Sequence, residues 1–199
     1  MRNINKSIIE NKLLFIHIPK TGGSSFKKYY KGGDILYHWR LKDIRDEMPE
    51  YLKYGRISVI RNPFDRLYSA WKHIMQPNAM NRRKGYDTEI ISFEQFVMDG
   101  IYKRNLFTYP QWDYLELDGE LQSEIIRFES LSDGIHKLDK KLGLKSKPIP
   151  HLRKSKQSKH YSTYYTDEMK ARVEEYYRDD LNHFNYRFET KCKCDSCKC

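Results

Sequence analysis

Leu13-Leu14-Phe15-Ile16-His17-Ile18-Pro19-Lys20-Thr21-Gly22-Gly23-Ser24-Ser25-Phe26 is the stretch on which the fold turns. Leu13 to Ile18 is the longest apolar run in the chain, interrupted only by His17. It is far short of the ~20 residues a membrane helix needs, and its length and flanks do not suit a secretory signal. It reads as a buried strand, with His17 as a hydrogen-bonded core histidine. Pro19 to Ser25 then makes a glycine-rich turn, and Phe26 to Tyr30 opens a helix. Gly22 and Gly23 allow successive backbone N–H groups to curl toward one oxyanion, and the helix start adds partial positive charge. An ordinary strand-to-helix turn uses the same glycines. Lys20 and the hydroxyls of Thr21, Ser24 and Ser25 favour an anion site. A Walker A loop requires G-x-x-x-x-G-K followed by Ser or Thr. Here the lysine precedes the glycines, which argues against an ATPase or kinase.

Outward from this unit, the pattern alternates. Ile35 to His38 reads as a short strand. Leu41 to Tyr54 has helical spacing interrupted by Pro49, and Arg56 to Ile60 is a further strand rich in β-branched residues. Asn62 caps and Pro63 opens a helix whose apolar stripe is Phe64, Leu67, Tyr68, Trp71, Ile74 and Met75. Asp65, Arg66, Ser69 and Lys72 lie off that stripe. Phe93 to Met98 reads as a short helix, Trp112 to Leu117 as a strand or hairpin arm closed by Asp118-Gly119, and Glu124 to Phe128 as a strand. Leu131 to Leu142 is a helix ended by Gly143, and Thr166 caps a last helix with Met169, Val173, Tyr176, Tyr177 and Leu181 buried. Strands alternating with helices predict an α/β fold with a mostly parallel central sheet flanked by helices. Ligands of such sheets bind at the carboxyl ends of the strands. Arg61 stands at such an end. Its planar fork suits a phosphate, and Ser69 on the next helix adds a donor. Pairing of Arg61 and Arg66 with carboxylates such as Asp65 is the competing structural role.

The chain has 199 residues, with 37 Lys and Arg against 27 Asp and Glu, a net charge of +10. One domain over residues 1–189 and a flexible tail over 190–199 are expected. The charge points to an anionic partner without choosing among nucleic acid, membrane surface, sulfated glycan and nucleotide. All four cysteines, Cys192, Cys194, Cys197 and Cys199, fall in the tail. Their spacing suits a soft metal, but it is not the paired arrangement of a zinc module, and a reducible tail is the simpler reading. Clustered thiols and the lack of a recognisable signal or anchor favour a cytoplasmic setting.

At this point the residues resemble a family. Phe15 to Phe26 resembles the 5′-phosphosulfate loop of sulfotransferases, and Val59-Ile60-Arg61-Asn62-Pro63-Phe64-Asp65-Arg66-Leu67-Tyr68-Ser69-Ala70-Trp71 resembles their 3′-phosphate motif. The similarity is greatest to the carbohydrate branch that includes heparan sulfate 2-O-sulfotransferase. It continues through Tyr109 to Leu115, Ile126 to Leu131, His151 to Ser155 and Tyr164 to Tyr186. The resemblance implies the P-loop-kinase-like sulfotransferase fold and a transferase using 3′-phosphoadenosine 5′-phosphosulfate (PAPS), with no metal required. Lys20, Thr21, Gly22, Gly23, Ser24 and Ser25 would hold the 5′-phosphosulfate, Arg61 and Ser69 the 3′-phosphate, and Arg153 and Lys154 would close over the donor. His38 matches the branch's general base, with Asp34 and Glu47 as alternatives, and Lys20 would steady the leaving group. Gln111 is a candidate acceptor contact, His151 could touch donor or acceptor, and Arg82, Arg83 and Lys84 could hold an acidic carbohydrate. The competing functions are a non-enzymatic RNA- or glycan-binding module, suggested by the charge and the 16 tyrosines, and a nucleotide-dependent phosphotransferase. No recognised RNA-binding motif supports specific nucleic-acid binding.

Overall fold

A computed structural model describes residues 8–9, 12–30, 38–75, 91–100, 106–149 and 159–190. They fall into two compact units: Met1–Arg61 with Tyr109–Lys154, and Asn62–Thr108 with Ser155–Cys199.

The first unit is built on a sheet. β1 (Ile8–Ile9) pairs antiparallel with β2 (Leu13–Ile16). β2 pairs parallel with β3 (Gly55–Ile60), and β3 pairs parallel with β6 (Glu124–Arg127). The strand order is β1-β2-β3-β6. All four residues of β2 are buried, as are Ile57, Ser58, Val59 and Ile60 of β3, which is why these strands read as apolar runs rather than alternating ones. Ser58 is accommodated because its hydroxyl donates to the Ile16 carbonyl at 2.8 Å.

Helix α1 (Gly23–Tyr29) follows β2, and α2 (Leu41–Glu47) precedes a 3-10 turn at Pro49–Lys53. Leu13, Phe15, Ile57, Val59 and Ile126 from the strands pack with Phe26 and Tyr29 of α1 and with Ile135 and Leu138. Full burial of each such large side chain stabilises by ~1.5–3 kcal/mol. Short helix α5 (Trp112–Leu115) leads into β4 (Glu116–Leu117), which turns at Asp118-Gly119 to pair with β5 (Glu120–Leu121). The expected strand at Trp112 is therefore helical, and the hairpin begins only at Glu116. Helix α6 (Leu131–Lys141) ends at Gly143, whose φ is +66°. The Gly143 and Leu144 N–H groups donate to the Lys140 and Asp139 carbonyls, closing the helix end.

The second unit is helical. In α3 (Pro63–Ile74), the Asn62 side chain accepts from the Phe64 N–H at 3.1 Å, as the cap residue predicts. Phe64, Leu67, Tyr68 and Ile74 are buried, but so is Arg66, contrary to its expected place off the stripe. Its guanidinium donates to the Phe107 carbonyl at 3.4 Å. Helix α4 (Phe93–Gln95) runs into a π-helical turn at Phe96–Gly100. Thr166 caps α7 (Asp167–Tyr176), and Tyr177 separates it from α8 (Arg178–His183), so the last helix is broken rather than continuous. Tyr165 and Tyr177 bury their rings and donate their hydroxyls to the Phe64 and Thr108 carbonyls, each at 2.8 Å. Among the described residues no helix is long and apolar enough to cross a membrane.

Candidate functional site

The site is assembled at the carboxyl ends of β2, β3 and β6, where the parallel register delivers three chain segments to one edge. From β2 comes the loop His17 to Gly22. Lys20 and Gly22 both have left-handed backbone, at φ +68° and +86°. For Gly22 this conformation is inexpensive, and the position also has no room: a Cβ would stand 2.7 Å from Cδ2 of Phe128. A Cβ on Gly23 would stand 2.1 Å from Cδ2 and 2.3 Å from Nε2 of His17. The paired glycines thus let the loop fold down onto two rings. The Thr21 hydroxyl is fully buried and donates to the Ile18 carbonyl at 2.9 Å, so it braces the loop. The Ser25 N–H donates to the Gly22 carbonyl at 2.9 Å, closing the first turn of α1, which carries no acidic residue. Ser24 and Ser25 stand half-buried in that turn.

From β3 comes Arg61. Its guanidinium donates to the Lys20 carbonyl at 3.1 Å and lies 4.4 Å above the centre of the Phe128 ring. Phe128, just past β6, is therefore a common floor beneath Gly22 and Arg61. The structure brings Lys20, Thr21, Gly22, Gly23 and Arg61 together as their motifs suggest.

Two histidines complete this edge. His17 lies just past the end of β2, not inside the strand. Its ring stacks on Phe15 at 5.6 Å and meets the His38 ring at 4.4 Å. Burial first, then the neighbouring His38 and Lys27, push the His17 imidazole well below the usual histidine range, so it is neutral at pH 7. His38 sits in a turn at φ +57°, and the strand expected before it lies outside the described residues. His38 Nδ1 stands 2.7 Å from the His17 carbonyl. A carbonyl only accepts, so Nδ1 carries the proton, and neutral His38 presents an unprotonated Nε2. Both Lys20 and His38 hold non-glycine left-handed backbone, a conformation that costs ~1–3 kcal/mol and collects at functional sites.

Other expected site residues fall elsewhere. Gln111, expected to touch an acceptor, is fully buried and turned inward: its carboxamide bonds both main-chain groups of Arg61. Ser69 stands half-buried on the second turn of α3, in the second unit. Glu47 is exposed at the end of α2. Arg82, Arg83, Lys84, Asp34, His151, Arg153, Lys154 and the four cysteines lie outside the described residues. Among the described residues no cluster of His, Cys, Asp or Glu has the makings of a metal site. Phe128 and His17 join the site without any motif of their own. Nothing in their local sequence marks them: Phe128 acts by lying under Gly22, distant in the chain, and His17 acts by folding back against Gly23 across the loop.

A strand-loop-helix with paired glycines thus stands beside an arginine at the end of the adjacent parallel strand, at one edge of the sheet. The model of the sulfotransferase family matches residues 9–187, nearly the whole chain, and the protein belongs to that family. Among solved structures, a sulfotransferase from Alicyclobacillus acidocaldarius is similar at 17% identity and a TM-score of 0.40. The match covers 82% of this chain and 63% of that one, so the chain spans under two thirds of its length. No curated protein matches.

Proposed function

We propose that this protein transfers the sulfuryl group of PAPS to a hydroxyl of a carbohydrate acceptor, as in the branch that includes heparan sulfate 2-O-sulfotransferase. The observation that carries the reading is the meeting of the Lys20–Gly23 loop, the Arg61 guanidinium and His38 at one edge of a parallel sheet. The residues suit such a donor. The loop has no Cβ at Gly22 or Gly23, no acid stands in the first turn of α1, and a second cation stands at the end of the next strand. Two separate anionic groups call for two such sites.

PAPS supplies a sulfuryl group activated by its anhydride link to the 5′-phosphate. Backbone N–H groups of the loop hold the 5′ end, and Arg61 holds the 3′-phosphate. Ser69 joins Arg61 on the family motif alone, as Arg153 and Lys154 join the donor site. The Lys20 ammonium neutralises charge that grows on the leaving oxygen. His38 Nε2 takes the acceptor's hydroxyl proton, its tautomer set by the Nδ1–H donated to His17. Arg82 and Arg83 are carried as cations for an acidic acceptor.

The test is transfer of isotopically labelled sulfate from PAPS to a panel of glycans, small alcohols and tyrosine peptides, read by mass. Labelled glycan is expected. A panel without any labelled product, or with labelled peptide alone, overturns the reading.

A further inference from the structure

Arg61 leaves the sheet where β3 runs out of partners. The β3–β6 register ends at Ile60 opposite Arg127, and the β2–β3 register ends at Ser58 opposite Ile16. The next main-chain N–H and C=O must be satisfied by other means. Gln111 supplies both. The Arg61 N–H donates to Gln111 Oε1 at 2.9 Å, and Gln111 Nε2 donates to the Arg61 carbonyl at 2.8 Å. One carboxamide thus stands in for a strand edge, with a donor and an acceptor side by side. Two bonds of opposite polarity fix the rotation of the Arg61 main chain as well as its place.

Gln111 is itself held firmly. It is fully buried, its carbonyl accepts from the Tyr114 N–H at 3.1 Å, and Tyr114 and Leu115 of α5 are buried beside it. At the far end of the Arg61 side chain, the guanidinium is fixed by the Lys20 carbonyl and the Phe128 ring. The arginine is therefore gripped at both ends before any ligand arrives. Such preorganisation matters for a long side chain, which would otherwise lose rotamer freedom on binding.

We propose that Gln111 is the positioning residue for Arg61, and that through it the site distinguishes a nucleotide with a 3′-phosphate from one without. The inference rests on the reading of Arg61 as the 3′-phosphate ligand. It assigns Gln111 to the donor side rather than to the acceptor. A carboxylate in its place keeps the acceptor for the Arg61 N–H but loses the donor to its carbonyl, and an aliphatic side chain loses both.

The test is calorimetric binding of 3′-phosphoadenosine 5′-phosphate and of adenosine 5′-phosphate to the full chain and to Gln111→Leu, Gln111→Glu and Arg61→Ala, with a melt of each. The full chain should prefer the 3′-phosphorylated nucleotide, and Arg61→Ala should lose that preference. Gln111→Leu should weaken the 3′-phosphorylated nucleotide tenfold or more and leave adenosine 5′-phosphate within twofold. Gln111→Glu should fall between, and it decides the matter if the leucine variant does not fold. Retained preference in the Gln111 variants, or equal weakening of both nucleotides, overturns the proposal. Retained preference in Arg61→Ala overturns the reading beneath it as well.

Discussion

His17 shows how a single residue changes meaning once its surroundings are known. In the sequence it interrupts an apolar run. In the fold its ring lies against Gly23 and His38, and its carbonyl holds His38 Nδ1. Its protonation is suppressed in the folded state, chiefly by burial. The unfolded chain, with an ordinary histidine near pH 6.5, binds that proton more readily. The folded state therefore loses stability as pH falls through about 6.5, and the loss is complete once the pH lies below the depressed folded value. Melting temperature should drop between pH 7.5 and 5.5, and His17→Asn should flatten the drop; an equal slope in the variant would remove His17 as its source. Lys20 makes a sharper prediction. Lys20→Ala should abolish sulfuryl transfer while leaving the melt nearly unchanged, because the side chain is half-buried and its proposed work is on the leaving oxygen. An active variant would exclude it from the mechanism. The loop around Lys20 was legible because lysine, hydroxyls and glycines are contiguous. Gln111 stands out in the sequence only as an acceptor contact by resemblance; its bonds to the Arg61 main chain do not, because Arg61 is remote in sequence and a buried carboxamide has no local signature.

Among the elements, β2, its loop and α1 act as one device, and the tolerance for side-chain volume at its bend is nil. Gly23→Ala would press a methyl group into the His17 ring, and overpacking of this kind costs ~1–3 kcal/mol. We expect a lower melting temperature together with lost transfer; a variant with unchanged stability and activity would show that the ring moves aside freely. The far end of α1 is tied down by a different device. Tyr29 and Tyr30 donate their hydroxyls to the two oxygens of buried Asp139 on α6. Burial and Asp139 push both phenols up, so they remain protonated donors. Asp139→Ala strands the buried Tyr29 donor, a loss of ~1–3 kcal/mol, and leaves half-buried Tyr30 only the Ile135 carbonyl at 3.5 Å. Chemical denaturation should show that loss, whereas a neutral effect would mean the hydroxyls find water or new partners. The amphipathic α3 was readable from its cap and stripe. The turn of helix at Trp112 was not, because four residues rich in aromatics have strand-like composition and only packing of Tyr114 and Leu115 settles the matter.

For the molecule as a whole, the +10 charge divides into a few cations with assigned work and many without. Lys20 and Arg61 meet at the sheet edge, Arg66 is buried on α3, and Arg40, Arg45, Lys141 and Lys170 pair with carboxylates, so only the net excess acts as a general field. Nucleotide binding should raise stability by ~2.7 kcal/mol when 3′-phosphoadenosine 5′-phosphate is supplied at a hundredfold excess over its Kd. No shift in the melt at millimolar nucleotide would count against a PAPS site. If the surface charge steers an acidic acceptor, transfer to acidic glycans should fall with rising salt more steeply than transfer to neutral ones, because exposed charges are screened beyond ~10 Å at 0.1 M. Equal salt dependence would deny the field that role. The sequence by itself determined the α/β class, the strand-loop-helix unit and the arginine at the end of the next strand, since each is written in contiguous residues through apolar runs, caps, glycines and cations. Tertiary structure alone decided that Phe128 floors both Gly22 and Arg61, that Gln111 faces the Arg61 main chain, and that His17 selects the tautomer of His38. Those contacts join residues from separate segments of the chain, which no contiguous stretch of sequence records and only the folded packing brings within reach of one another.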